Sequence, residues 1–188
     1  AIYDNAAGSE RMRIDSSGNV GIGAVPSAWR STTDAIQFGQ SASISSNNNA
    51  NAVSFTSNAY VNSSNNSVRI STGKVTNYYQ YDGAHVWDYA GSGAAGTTVA
   101  YSEAMRIDSS GNLLVGMTSN GLTSTGIGLV RDGTSHMYSG GTHTLELGRG
   151  GSDGDILKFN RSGSTSGSIG VVSGNRTYIN SEGGDGYL

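Results

Sequence analysis

The chain has 188 residues and a formal net charge of −3, and its 11 Lys and Arg residues are scattered along it. No basic stripe exists to track a phosphate backbone, which excludes nucleic acid as an expected partner. Gly, Ser, Thr and Asn make up nearly half of the residues and AVILMFWYC only 35%, leaving an isolated chain short of apolar surface to offset its conformational entropy.

Disorder is a poor alternative, because disordered segments are usually highly charged, Pro-rich and poor in aromatics. Here 13% of residues are charged, Pro26 is the single proline, and ten tyrosines and two tryptophans are spread along the chain. Order shared between several copies of the chain is therefore expected. Cysteine is absent, so disulfides and thiolate metal sites are excluded. No apolar run approaches the roughly 18 residues of a membrane-spanning helix, so no membrane insertion is expected. The start at Ala1, without a visible signal peptide, fits a mature or excised piece of something longer.

The first element is a hairpin, residues 9–23. In Met12-Arg13-Ile14 the apolar side chains lie two apart and share one strand face. Asp15-Ser16-Ser17-Gly18-Asn19 reads as a turn, in which Asp15 bonds the backbone ahead and Gly18 takes a left-handed conformation. Val20 and Ile22 return, and Gly21 and Gly23 between them predict close backbone approach or a bend. Pro26 to Arg30 is the best helix candidate, a short turn at most. The Asn/Ser-rich tract from Ser41 to Asn66 is interrupted by Ile44, Val53, Phe55, Tyr60 and Val61. That predicts β-structure, with polar loops at Asn47-Asn48-Asn49 and Ser63 to Asn66.

Val68-Arg69-Ile70, a polar turn and Val75 predict a further hairpin. Around an Asp82-Gly83 turn, Tyr78, Tyr79, Tyr81, His85, Trp87 and Tyr89 crowd into a dozen residues. Alternation places Tyr79 and Tyr81 on one face and Tyr78 with Gln80 on the other; on the return strand Val86 and Asp88 alternate with His85, Trp87 and Tyr89. The 9–23 motif then recurs: Ser102-Glu103-Ala104-Met105-Arg106-Ile107-Asp108-Ser109-Ser110-Gly111-Asn112 differs from Ser9 to Asn19 only by Ala104 in place of Arg11. Leu113, Val115 and Gly116 continue the match. Leu129 to Met137, with an Asp132-Gly133 turn, and Leu157 to Gly163, with Ile169 and Val171 returning, predict two more hairpins. Single hairpins are unstable in water. Stacked and shared between chains, they build a continuous core.

The phrase Ser9-Glu10-Arg11-Met12-Arg13-Ile14-Asp15-Ser16-Ser17-Gly18-Asn19-Val20-Gly21-Ile22-Gly23 resembles one common in tail fibres of tailed bacteriophages. Val25 to Trp29, Ser102 to Gly116 and Ile156 to Val172 are similar to the same family, so the resemblance is spread over most of the chain. Bacterial prophages and some surface proteins contain similar phrases. The resemblance implies an elongated homotrimeric β-fibre with interdigitated chains, joined to neighbouring fibre or virion proteins and used in host contact. Many such fibres carry a C-terminal chaperone that trimerises them and then cleaves itself away. Nothing before Leu188 resembles its self-cleaving domain.

Candidate chemistry is sparse. His85, His136 and His143 are the only obvious bases near neutrality, and none sits in a nucleophile-elbow or zincin pattern. His136 and His143 would ligate a metal only if loops or threefold symmetry joined them. Asp82, Asp88, Glu146, Asp153 and Asp155 are available for glycan hydrolysis, but nothing makes any pair converge. Residues 150–155 carry a Gly-Asp pattern with the wrong spacing for a calcium-binding β-roll, so a plain polar turn is expected. The aromatic residues between Tyr78 and Tyr89 are the best receptor or glycan contact, since exposed Tyr and Trp suit sugar rings and protein partners. Packing in the core of a trimer, or covering its surface, is the reading favoured for these rings over such contact.

The expected fold is all-β with very little helix: an elongated fibrous homotrimer of stacked β-hairpins, β-prism or triple-β-helix in kind. The first repeat is expected at residues 1–101 and the second at 102–188, with Met12, Ile14, Asp15 and Gly18 repeated as Met105, Ile107, Asp108 and Gly111. The expected role is structural and adhesive, in a viral tail fibre outside the cell, with no enzyme activity and no cofactor. A bacterial extracellular adhesin or filament subunit, and a glycan depolymerase, are the alternatives.

Overall fold

A computed structural model describes residues 1–4, 8–48, 50–120, 125–133, 135–141, 145, 147, 154–172 and 176–181. The described residues form an all-β structure without helix. It has two compact units, Ala1–Thr142 and His143–Leu188. Pro26 to Arg30 forms no helix but holds one tight turn, in which the Trp29 N–H donates to the Ser27 carbonyl at 2.8 Å, with Trp29 bridged to Asn62.

The first unit is a twelve-stranded sheet and a small covering layer. Its strands in chain order are β1 (Ile2–Asp4), β2 (Ser9–Ile14), β3 (Val20–Ile22), β4 (Thr33–Phe38), β5 (Ala42–Asn47) and β6 (Ala52–Ser57). After an excursion through β7 (Ala59–Val61) and β8 (Ser67–Arg69) come β9 (Gly73–Tyr81), β10 (Ala84–Gly93), β11 (Ser102–Ile107), β12 (Leu113–Val115), β13 (Gly126–Leu129) and β14 (Ser135–Tyr138). Spatial order follows chain order, with β6 beside β9. Neighbours are antiparallel except β3 and β4, which run parallel. The sheet continues across the 101/102 boundary between the two sequence repeats, because β10 pairs with β11.

The Asn/Ser-rich tract is ordered, as its apolar interruptions predict. Asn51, Asn58 and Asn65 take positive φ, the left-handed conformation that a short amide side chain tolerates best among non-glycine residues. The hairpin expected at 68–75 is not formed. β8 pairs with β7, while β9 pairs with β6 and β10. The cause is Arg69, which is buried and donates to the carbonyls of Gly73, Gly91 and Thr98 and to the Thr97 hydroxyl. Those acceptors satisfy a buried cation only if β8 leaves the main sheet and folds over it. A Cβ at Gly93 would stand 2.6 Å from Arg69 Cζ, so the bend at the end of β10 needs glycine.

Alternation divides the main sheet into two faces. One lies under the β7–β8 layer, where Ala59, Val75, Ala90 and Val99 form a core with Tyr101 packed against it. The same face carries Ala35, Val86 and Leu114, together with the buried polar side chains Gln37, Ser43 and Ser45. The opposite face carries the large apolar residues and is open.

Both copies of the sequence repeat fold alike. Met12 pairs with Ile22 and Ile14 with Val20; Met105 pairs with Val115 and Ile107 with Leu113. The Asp15 carboxylate accepts the Ser17 and Asn19 backbone N–H groups at 2.9 Å, and Asp108 does the same for Ser110 and Asn112. These bonds, with burial opposing them, leave both carboxyls below the usual aspartate range. Gly18 and Gly111 have φ of 89° and 86°, as each turn requires. The buried Asn closing each turn extends the lock to the next strand: Asn19 Oδ1 accepts the Ala35 N–H, and Asn112 Oδ1 the Arg131 N–H.

The one difference between Ser9–Asn19 and Ser102–Asn112, Arg11 against Ala104, falls on a β-bulge in each, where the pairing steps from Glu10 to Met12 and from Glu103 to Met105. The extra residue puts positions i and i+3 on one face. Arg13 thereby meets Glu10, and Arg106 meets Glu103.

The second unit contains β15 (Gly154–Arg161), β16 (Ser164–Val172) and β17 (Arg176–Ser181) in an antiparallel sheet. The predicted hairpin is present, with Leu157 opposite Ile169 and a turn at Ser162-Gly163. A bulge after Asp155 again brings an i,i+3 ion pair together, Lys158 Nζ to Asp155 at 3.3 Å.

Replacing Asn112 by Ala removes the turn lock while leaving the Arg131 N–H without its acceptor. We expect a loss of about 1–2 kcal/mol in urea unfolding, against no measurable change for Ser110→Ala, whose side chain is exposed.

Candidate functional site

Strands β9 and β10 form a long hairpin closed by Asp82 and Gly83, both at positive φ. This is the two-residue turn that Asp-Gly favours. Its register decides where each predicted aromatic lies. Tyr78 stands opposite Trp87 and Gln80 opposite His85, on the open face; Tyr79 stands opposite Val86 and Tyr81 opposite Ala84, on the covered face. The cluster is therefore two groups, back to back. Tyr89, paired with Thr76, belongs to the open face.

On the open face Tyr78 is the hub. Its ring centroid is 4.9 Å from that of Trp87, 6.1 Å from His85 and 6.0 Å from Phe55 of β6. Its hydroxyl lies 2.6 Å from His85 Nδ1. Phe55, 46% exposed, extends the aromatic row across β6. Only the β6–β9 pairing brings it there, so local spacing carried no sign of it. The row continues through apolar residues in both directions: Ile44, Ile36, Val20 and Ile14 on one side, and Met105, Val115, Ile127 and Met137 on the other. No charged side chain interrupts it. The repeat residues Met12, Ile14, Met105 and Ile107 lie on this face, and Ile14 is 63% exposed.

On the covered face Asp88 and Glu103 are direct cross-strand neighbours. Burial chiefly, and then the Glu103 charge, push the Asp88 carboxyl up to about 6, with Arg106 opposing. Burial and the same carboxylates raise the Tyr79 phenol. Glu103 is already taken by Arg106, which donates Nε at 2.7 Å. The sequence held Asp88 and Glu103 as separate residues; the register joins them.

The remaining candidates are dispersed. The His136 ring lies over Gly128, where a Cβ would stand 2.7 Å from Nε2. His143, Glu146, Asp153 and the stretch 150–153 lie outside the described residues. Among the described residues no three His, Cys, Asp or Glu side chains gather as a metal site. Asp155 accepts from the Tyr178 hydroxyl at 2.5 Å; that bond, with Ser168 and Lys158, holds its carboxyl down at about 2.

A trough of about 210 Å³ opens on the covered-face side, where the β7–β8 layer ends. Tyr79, Tyr81, Ser45, Ser54, Asn47 and Arg30 are among the residues lining it. No protein-family model, curated protein or solved structure matches the chain.

The Asp88 shift has a defined consequence. Its folded value, about 6, lies above the ordinary 3.8. Ionising it is therefore harder in the folded state, and stability falls as pH rises from about 4 through 6. Urea unfolding is expected to show Asp88→Asn more stable than the parent by about 1–2 kcal/mol near neutral pH, with the gain gone at about pH 4.

Proposed function

We propose that this chain is a structural and adhesive segment of a trimeric extracellular fibre, of the tail-fibre kind, whose copies pack through the open face. The supporting observation is the distribution of apolar side chains. Among the described residues 21 large hydrophobics are exposed, with Ile14, Ile36, Phe55, Val115, Ile127 and Met137 among them in one row of the open face, while the buried hydrophobics number 11, three of them alanine. A soluble monomer rarely leaves a contiguous apolar area of this kind without a partner.

The open face has the composition of an interface core, with aromatics and Met present and charge absent from its central row. Moving Ile14, Ile36, Phe55, Ile127, Leu129 and Met137 from about half exposed to buried contributes about 5–9 kcal/mol. That is comparable to the rotational and translational cost of association, about 4–15 kcal/mol, and the rest of the row adds to it. The number three rests on the resemblance in sequence; the open face asks only that copies cover it. Tyr78, His85 and Trp87 join this inter-chain surface, while Tyr79 and Tyr81 face away from it and remain for contact with a host surface.

Two measurements test the proposal. Phe55→Lys places a charge near the centre of the row and is expected to reduce the assembly to single chains, whereas Lys74→Gln leaves it intact. Antibodies raised against the purified protein are expected to label fibres on virus particles in electron micrographs. Labelling confined to filaments on the bacterial surface would favour the adhesin reading.

A further inference from the structure

The trough between β5, β6, β9 and Arg30 has a composition unlike the rest of the surface. Thr33, Ser45, Ser54 and Asn47 give it hydroxyl and amide groups, and Tyr79 and Tyr81 supply aromatic walls. Tyr81 is 48% exposed. The strand register puts Thr33, Asn47, Ala52 and Tyr81 in one row across four strands, with Ser45, Ser54 and Tyr79 in the next. The lining is therefore built by paired strands rather than by a loop.

Arg30 is the only charged side chain among the lining residues. Its position is fixed: its backbone N–H donates to the Val61 carbonyl at 2.9 Å, Nε donates to the Thr33 hydroxyl at 2.8 Å, and Nη1 donates to Asn65 Oδ1. Every one of these partners is neutral. Among the described residues no carboxylate pairs with it, in contrast to Arg11, Arg13 and Arg106. A held guanidinium without an anion is suited to a carboxylate.

We infer that the trough binds a glycan through one acidic sugar, a uronate, with the ring against Tyr79 and Tyr81 and its carboxylate at Arg30. The volume is below the range of pockets for drug-sized ligands, which fits one pyranose. Neighbouring hydroxyls suit its ring hydroxyls, and tyrosine presents an apolar face with a polar tip to a sugar. The trough lies on the side opposite the open apolar face, so copies packed through that face leave it accessible. The inference deepens the adhesive reading and rests on it for its biological use.

The test titrates methyl glucuronide and methyl glucoside into the purified protein in its native assembly, followed by saturation-transfer NMR and tyrosine fluorescence. The glucuronide is expected to bind about tenfold more tightly than the glucoside. Arg30→Gln is expected to abolish that preference while leaving glucoside binding unchanged. Tyr81→Ala is expected to weaken both about tenfold. Because Arg30 also ties Thr33 and Asn65, Tyr81→Ala at an exposed ring carries the test if Arg30→Gln fails to fold, with circular dichroism as the check. No binding of either sugar, equal binding of both, or an unchanged preference in folded Arg30→Gln would overturn the site. A native mass of one chain, measured on the same sample, would sink the fibre reading instead and leave the titrations to decide the trough.

Discussion

The alternation of side chains along paired strands, in a sheet whose two faces are populated in the reverse of the usual order, governs this molecule. The face that the chain covers for itself receives mostly small and polar side chains, Ala, Ser and Gln, with Val75, Val86 and Leu114 as its larger apolar members. The face that it leaves open receives Ile, Leu, Met, Phe, Tyr and Trp. Burial of apolar area is the dominant favourable term in folding, and here most of the large apolar side chains are withheld from it. The chain is thus specified in register by hydrogen bonds, and on the proposed reading its energetics are completed by association.

That division explains why the turns are so heavily bonded. A thin core cannot fix register by itself, and a slip of one residue would exchange the two faces. Asp15 and Asp108 gather backbone N–H groups, and Asn19 and Asn112 reach from their turns to the neighbouring strand. The bulges at Arg11, Ala104 and Ile156 then align i,i+3 ion pairs that an unbulged strand would separate. Individually, partly exposed pairs contribute little. Their value is positional, since each pair forms only in the correct register.

Much of this was legible in the sequence. The repeat showed its hairpin, its turn chemistry and the shared face of Met12 and Ile14, because all three depend on neighbours within a dozen residues. Asp82-Gly83 likewise revealed the β9–β10 hairpin and the division of its tyrosines. What failed was pairing at a distance. Val68-Arg69-Ile70 has the pattern of a strand hairpinned to Val75, yet the buried guanidinium of Arg69 finds its acceptors at Gly91, Thr97 and Thr98. Local spacing contains no record of those. Phe55 beside Tyr78 and Asp88 beside Glu103 escaped for the same reason, each pair being created by register between strands, and Arg30 and Tyr81 come together only in the lining of one trough.

The mass of the purified protein in native solution tests the central claim most directly. Self-association through the open face requires a particle several times the 19.3 kDa chain, and three chains if the tail-fibre reading holds. A 19.3 kDa particle that unfolds in one sharp transition, with its large apolar residues wet and no tendency to associate, would contradict it.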